Sequence, residues 1–465
     1  MPTEVLIALE VVFKIAVALF CFGFTIFVHE LGHFWVAKKC GLKIDAFSIG
    51  FGPAIIKKTV NGILYKVAWI PLGGYVALPQ MDPSAQEPGP GETPLPPVTP
   101  QKKILVAVAG VTMNMILAVA LAFIIWQVGI RGAPLNQKAV IGYVDPDSPA
   151  AQAGFLMSDE IVRANGNEVP SWERLQIELA LRKEVEIEFI RGGELKTVTV
   201  KTEKGVFDQR YFGGIDPVEE VRIGNLMAGQ PAEKSGLLPG DRILTLDGVK
   251  ILSVGHVSSL IRAGGGKEIE LNLHRDREKR DIAVRITPVW NETYQKHMIG
   301  IAFDTSVITY PTPWYQVRRF ASAMVRTLQA FTHKEEARQA FDGLGSPVMI
   351  FSILYKIANT EWMQLLSLVA LVNVNLALMN LLPIPILDGG HIMFSLYEMI
   401  ARRRPSRRFV VTVSNVFASL LITLMVFLMY RDSRYRVPVL FGSDPPAAES
   451  PAPPAPPEPA PPVAP

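Results

Sequence analysis

His29-Glu30-Leu31-Gly32-His33 is the part of this sequence best equipped for chemistry. On a helix, two imidazoles four residues apart share one face and can grip one Zn²⁺ together. The glutamate between them stands close enough to take a proton from a water at the metal. The motif follows an apolar run that includes Ile15, Leu19, Phe20, Phe24, Ile26 and Val28. Ionisable side chains at bilayer depth are costly and point to function by default. A helix that merely carries two core or exposed histidines accounts poorly for three polar groups ending such a run. The residues point to water chemistry at a metal inside a membrane.

Two histidines leave a catalytic zinc site incomplete, because such sites usually have three protein ligands and an open fourth position. Only a distant carboxylate or histidine at membrane depth can complete it. Residues 375–391 offer Asp388 at the end of an apolar stretch, with Pro383 and Pro385 before it and Gly389 and Gly390 after it. The prolines break regular helix and free backbone groups that need protein, water or substrate partners. That is a poor design for a plain membrane anchor.

The elements that must position these groups are apolar helices. The chain has positive mean hydropathy, only 19% charged residues and a net charge of +3, which leans toward a membrane protein and gives no case for nucleic acid. Four spanning helices are expected at about 6–36, 104–128, 365–387 and 409–430, each near or above the ~20 residues that cross a hydrocarbon core. The first is too long for a cleavable signal peptide, has no clear small-residue cleavage site and carries the metal motif. Lys38, Lys39, Lys43, Lys57, Lys58, Lys102 and Lys103 lie between the first two spans, and Arg402, Arg403, Arg404, Arg407 and Arg408 between the last two. By the positive-inside rule both loops are cytoplasmic, which places both termini and residues 131–360 outside and the histidines toward the cytoplasmic side. The two cysteines, Cys21 and Cys40, give no disulfide framework.

Residues 131–300 contain a repeat. Ser148-Pro149-Ala150 through Asp159-Glu160-Ile161-Val162 and Asn165-Gly166 aligns with Gln230-Pro231-Ala232 through Asp241-Arg242-Ile243-Leu244 and Asp247-Gly248. Each copy reads as a short helix, a glycine stop, a strand and a hairpin turn, followed by alternating strands such as 185–190 and 268–273. The pattern resembles tandem PDZ domains of the circularly permuted bacterial type, which add a peptide strand to a sheet edge. Tyr211-Phe212-Gly213-Gly214-Ile215 looks like the backbone-donor loop that would receive a peptide carboxylate. The alternative is a pair of β-rich spacers or size filters without a ligand.

His29-Glu30-Leu31-Gly32-His33, taken with Asn380-Leu381-Leu382-Pro383-Ile384-Pro385-Ile386-Leu387-Asp388-Gly389, resembles the site-2 protease family of intramembrane zinc metalloproteases. The paired PDZ-like region narrows the resemblance to the bacterial regulator of sigma-E protease group. Phe47-Ser48-Ile49-Gly50-Phe51-Gly52-Pro53 and Ile70-Pro71-Leu72-Gly73-Gly74-Tyr75-Val76 look like that group's membrane-associated β-hairpin, so the likeness covers about residues 5–430. It implies that His29, His33 and Asp388 ligate zinc and that Glu30 is the general base. It implies that Asn375 and Asn380, with the Pro383 and Pro385 turn, contact unwound substrate backbone, and that the Gly73-Gly74-Tyr75-Val76 edge strand pairs with it. His391 is a tempting fourth ligand that the family pattern does not use. His256, His274, His297 and His333 read as surface residues. Gly345-Ser346-Pro347 stands where the family typically has Ser-Gly-Pro.

The expected fold is therefore a polytopic α-helical membrane protein with about four transmembrane helices, a membrane-associated β-hairpin and two extracytoplasmic PDZ-like α+β domains. Its expected division is 1–130 (first two spans and hairpin), 131–205 and 206–300 (PDZ-like domains), 301–360 (a juxtamembrane amphipathic region), 361–435 (last two spans) and 436–465 (a proline-rich disordered tail). Residues 82–100 read as a flexible cytoplasmic loop. The amphipathic pattern at Trp314, Val317, Phe320, Met324, Leu328 and Phe331 fits a helix lying along the membrane or one packed on the PDZ-like region. The expected activity is zinc-dependent cleavage, at the bacterial inner membrane, of single-pass membrane proteins. The resemblance suggests anti-sigma factors after a first cut, and signal-peptide remnants. The expected partners are those substrates, membrane lipid and peptide C-termini, with no nucleic acid. A non-catalytic scaffold would have lost Glu30 or Asp388, and a metal transporter would need several intramembrane ligands along a path.

Overall fold

The computed structural model describes residues 3–81, 95–132, 138–204, 210–292, 294–334, 336–357 and 362–440. Most of the tail placed at 436–465 and most of the loop at 82–100 fall outside these residues, but Val437–Leu440 is helical, so the tail boundary at 436 moves. The chain opens with helix α1 (Thr3–Lys39), which stops at Gly41, where φ is +74° and a side chain would be strained. Strands β1 (Ala46–Val60) and β2 (Ile63–Ala77) follow. They form more than a simple hairpin. Gly50 and Gly52 have φ of +85° and +87°, so β1 bends within Gly50-Phe51-Gly52-Pro53. Residues 46–49 consequently pair with 64–67 on one side and with 74–77 on the other, leaving 74–77 at one margin of a curled sheet.

Helix α2 (Pro100–Val128) starts with proline at its first turn, where the missing N–H costs nothing, and stops at Gly129. It packs tightly on α1: a Cβ at Gly32 would lie 2.4 Å from the Ala109 carbonyl oxygen. Small residues permit this backbone approach, which is how helices in lipid gain packing energy.

Two similar sheet units come next, each with its own core. The first has a sheet ordered Asn167–Glu168, Glu160–Ala164, Glu184–Arg191, Glu194–Lys201, with helix α3 (Trp172–Leu181) and a core around Ile141, Phe155, Ile161, Leu175 and Ile187. The second is ordered Arg280–Ile286, Ile269–Arg275, Arg242–Leu246, Arg222–Leu226, Ile301–Asp304, with helix α4 (Val254–Gly264) and a core around Ile223, Leu237, Ile243 and Leu271. Equivalent strands pair in matching register, Ile161 with Phe189 and Ile243 with Leu273.

The boundary placed at 205/206 moves. Phe212 lies in the first core and Ile215 pairs with Val144, so the Tyr211–Ile215 loop closes the first unit. The boundary at 300 moves as well, because Ile301–Asp304 completes the second sheet. His256, read as a surface residue, is 8% exposed because α4 presses it against Tyr143 of the first unit with the rings 5.8 Å apart.

Each unit carries the same buried ion pair. Asp159 accepts hydrogen bonds from Arg191 Nε at 2.7 Å and Nη2 at 2.6 Å and from the Leu156 N–H, and Arg191 also donates to the Gly154 carbonyl. Asp241 accepts from Arg275 Nε at 2.8 Å and Nη2 at 2.7 Å and from the Leu238 N–H, and Arg275 donates to the Gly236 carbonyl. The fork thus clips the glycine stop after the short helix to the end of a core strand. Burial pushes the Asp241 carboxyl up, but the Arg275 hydrogen bonds and the Leu238 N–H outweigh it and hold the group below the usual carboxylate range. Its stabilisation is therefore complete above the unfolded value of about 3.9 and is lost as pH falls through the lower folded value. Replacing the arginine strands a buried carboxylate, which costs about 3–5 kcal/mol. Arg275→Met is expected to speed hydrogen exchange of the strand Ile269–Arg275 in the full chain at neutral pH. Unchanged protection would contradict this.

Helices α5 (Pro313–Ala330), α6 (Ala337–Gly343) and α7 (Pro347–Ile357) fill the amphipathic region. The apolar face of α5 packs Phe320 against Ala118 of α2 and against Ala370 and Val374, and Gln316 donates to the Ala122 carbonyl at 2.9 Å. Its other face pairs with the first unit: Arg319 Nε lies 2.6 Å from Glu173, and Arg326 lies between Glu178 at 3.4 Å and Glu336 at 2.7 Å. The helix is therefore packed between two apolar helices of the bundle and the first unit. At the α6–α7 break, the Ser346 N–H donates to Asp432 Oδ2 at 2.7 Å, which anchors the Gly345-Ser346-Pro347 turn.

Helix α8 (Trp362–Asn380) ends earlier than expected. Pro383 and Pro385 cannot continue it, and a separate helix α9 (Asp388–Ala401) begins at Asp388, which thus opens a helix instead of closing a span. Helix α10 (Arg407–Arg431) closes the bundle. Among the described residues α1, α2, α8 and α10 are long and apolar enough to cross a membrane, and α6 with α7, bent by 54°, passes as one further broken pair. Both cysteines are free.

Candidate metal centre

Helix α1 projects His29 and His33 from consecutive turns, both more than 90% buried, with their rings 4.8 Å apart at 86°. Facing them is the Leu381–Leu387 turn. Gly389 and Gly390 let α9 start directly against it: a Cβ at Gly389 would lie 2.1 Å from the Leu382 carbonyl oxygen, and one at Gly390 would lie 2.4 Å from that of Ile384. This close approach brings the Asp388 carboxylate to the histidines. His29 Nε2 is 3.3 Å from Asp388 Oδ2, His33 Nε2 is 3.4 Å from Asp388 Oδ1, and the two Nε2 atoms are 3.2 Å apart.

These separations test the fit of a metal. Ligand atoms about 2.0–2.1 Å from a tetrahedral zinc lie about 3.3 Å from one another. The two Nε2 atoms and the Asp388 carboxylate form a triangle of about that size, each histidine facing a different carboxylate oxygen, and they are of the imidazole and carboxylate types that zinc takes. Asp388 Oδ2 is buried and makes no hydrogen bond of good geometry, so it is left for a cation. His33 Nδ1 lies 2.8 Å from the Val106 carbonyl, which can only accept, so Nδ1 carries the proton and the Nε2 lone pair faces Asp388. Among the described residues this is the one cluster of such side chains within ligating distance.

A cavity of about 1110 Å³ opens onto the cluster and is lined in part by Glu30, Asn375, Asn380 and Pro385. Gly73, Gly74, Tyr75 and Val76 line it from the margin of the curled sheet. Gly74 must be glycine for β2 to pass Glu30, since a Cβ there would lie 2.9 Å from Glu30 Cγ. Asn380 Nδ2 sits 3.4 Å from His29 Nε2, and Asn375 Oδ1 is buried with no hydrogen-bond partner among the described residues. Pro383 does not join them. It is exposed on the turn, whereas Pro385 is buried and lines the cavity. His391 lines the cavity but stands outside the ligating cluster.

The sequence motifs did not reveal the contribution of α2. Val106, Gly110 and Asn114 form a stripe along it, and all three meet His29 or His33. Gly110-Val111-Thr112-Met113-Asn114 carries only a weak small-residue signal, and the Val106 carbonyl carries none. Ser414 and Asn415 of α10 also reach the cavity, from a helix that reads as largely apolar.

The profile of peptidase family M50 matches residues 17–424. A protein of Neisseria meningitidis serogroup A, named as a zinc metalloprotease, is 31% identical over 444 residues, which is 88% of this chain and 96% of that protein. The regulator of sigma E protease of Haemophilus influenzae is 30% identical over 433 residues, 87% of this chain and 95% of its own length. The Escherichia coli K12 regulator of sigma-E protease is 27% identical over 457 residues, covering 88% and 96% respectively. The match begins inside α1 before His29 and ends inside α10 beyond Asp388, and so takes in all three residues of the triangle. The chain belongs to peptidase family M50 and is an intramembrane zinc metalloendopeptidase.

Proposed function

We propose that this peptidase cuts the transmembrane segments of single-pass membrane proteins. His29 and His33 hold zinc through Nε2 and Asp388 through its carboxylate, and Glu30 is the general base. When bound, the ion polarises the scissile carbonyl and acidifies a water. Glu30 takes the proton of the attacking water and hands it to the leaving nitrogen.

A transmembrane helix buries its peptide bonds in its own hydrogen bonds, so the substrate must unwind before attack. Unwound backbone is costly in an apolar setting unless it is paired. The observation that carries this reading is the shared cavity, where Gly73–Val76 at a sheet margin and the partnerless Asn375 oxygen stand beside the His29, His33 and Asp388 triangle. The margin adds a substrate strand while Asn375 and Asn380 bond its exposed groups.

The lysine- and arginine-rich loops support a topology in which the 40–99 and 402–406 connections face the cytoplasm and both sheet units lie outside an inner membrane. The relatives named regulators of sigma-E protease suggest anti-sigma factors, already shortened by a first cut, as substrates. The two sheet units are PDZ-like modules that exclude uncut substrates by size or bind newly made C-termini.

Two otherwise identical single-pass substrates, one with Leu-Leu and one with Gly-Pro at mid-span, test the unwinding step in reconstituted vesicles. Gly and Pro disfavour helix by roughly 1 and 3 kcal/mol, so the Gly-Pro substrate is expected to be cut at least about tenfold faster. Equal rates, or preference for the unbroken helix, would contradict it.

A further inference from the structure

His29 presents a problem that its partner histidine does not. The proton on His33 is fixed by a backbone carbonyl, whereas His29 Nδ1 faces a side-chain amide, that of Asn114, with Nδ2 at 3.1 Å. Asn114 is completely buried, and its Oδ1 has no hydrogen-bond partner among the described residues. An amide nitrogen can only donate, so in that orientation His29 Nδ1 is an acceptor and the imidazole proton sits on Nε2. Nε2 is the atom that faces Asp388 and His33 in the ligand triangle. A ligating Nε2 needs its lone pair, and the opposite nitrogen then carries the hydrogen and needs an acceptor. The two ends of a carboxamide are nearly the same size, and turning it by 180° brings the partnerless oxygen to Nδ1. In either orientation one end of the amide lacks a protein partner, so the imidazole decides between them.

We propose that Asn114 is a positioning residue for the metal centre, accepting the Nδ1–H of His29 through its amide oxygen and so aiming the Nε2 lone pair at the ion. The inference rests on the assignment of His29 as a ligand. It gives α2 one job at both histidines. Val106 supplies the acceptor for His33, Asn114 supplies the acceptor for His29, and Gly110 between them leaves the room that both rings occupy. One α2 turn separates each of these residues from the next, so a single helix face sets the rotation of both ligands.

The test is zinc affinity of the full chain in detergent, read by competition with a chromophoric chelator, with zinc as the only added ligand. Asn114→Leu, which keeps the shape and removes the acceptor, is expected to weaken zinc binding by about 10–100-fold. Asn114→Asp restores an acceptor and is expected to bind zinc within a few-fold of wild type. Asn373→Leu removes an equally buried amide whose hydrogen bonds among the described residues go to Thr25 and the Val369 carbonyl, so it controls for general loosening and is expected to leave zinc affinity unchanged. Wild-type affinity in Asn114→Leu would overturn the proposal. So would Asn114→Asp as weak as Asn114→Leu, or a matching loss in Asn373→Leu. A wild-type chain that binds no zinc would overturn the ligand assignment itself, and this proposal with it.

Discussion

Glu30→Gln is expected to keep a full complement of zinc and to lose cleavage by at least about 100-fold, toward about 10,000-fold, the range a general base contributes. Glutamine has nearly the same shape, so the packing of β2 against this side chain at Gly74 survives the change. The triangle of His29, His33 and Asp388 does not involve Glu30, so the ligands stay in place. What disappears is the group proposed to accept the water's proton and return it to the leaving nitrogen. Cleavage is measured on a single-pass substrate in vesicles, and zinc is counted on the same preparation.

Gly110→Ala is expected to be nearly as damaging by a different route, with metal and activity falling together. A Cβ at this position would lie 2.4 Å from His33 Nε2 and 2.8 Å from His29 Cε1, below any real carbon contact. Neither ring can retreat cheaply, because His33 is tied to the Val106 carbonyl and His29 lies against Asn114. Moving α2 away instead would open the seam where Gly32 meets Ala109. A displacement of about 1 Å at reacting groups can cost about 100-fold in rate, and displaced ligands lose the ion as well. Metal analysis of the purified variant beside its cleavage rate checks this. A variant with full zinc and full activity would show that the rings have room that the packing denies them.

The two substitutions also show which parts of the site could be read in the sequence. His29, Glu30 and His33 announce themselves by helical spacing in an apolar run, and Asp388 by being an acid at the edge of another. Both signals come from the cost of charge in lipid, which few residues meet without a function. Gly110 and Asn114 are invisible to that logic, since a glycine in a membrane helix is ordinary and one asparagine is a mild exception. The Val106 carbonyl has no side-chain signature at all. The third span was read about seven residues too long because the residues after Asn380 remain apolar, although the two prolines already contained the break.

The sheet units divide in the same way. Their repeat is legible through Pro-Ala, the glycine stop, the aspartate and the turn, whereas the arginines that hold those aspartates sit at the far ends of strands beyond the aligned stretch. Continuing the comparison to Arg191 and Arg275 would have exposed the shared ion pair. The boundary near 205 was misplaced because Phe212 and Ile215 return to a core begun far upstream, and only tertiary packing records that. The curl of β1 and β2 was signalled by Gly50 and Gly52, whose positive φ angles a plain hairpin would not need.

The most direct test of the account counts zinc and measures cleavage on the same reconstituted samples of wild type and Glu30→Gln. The account predicts about one zinc per chain in both and cleavage of the transmembrane substrate by wild type alone. Cleavage at the wild-type rate by a zinc-loaded Glu30→Gln chain would contradict it.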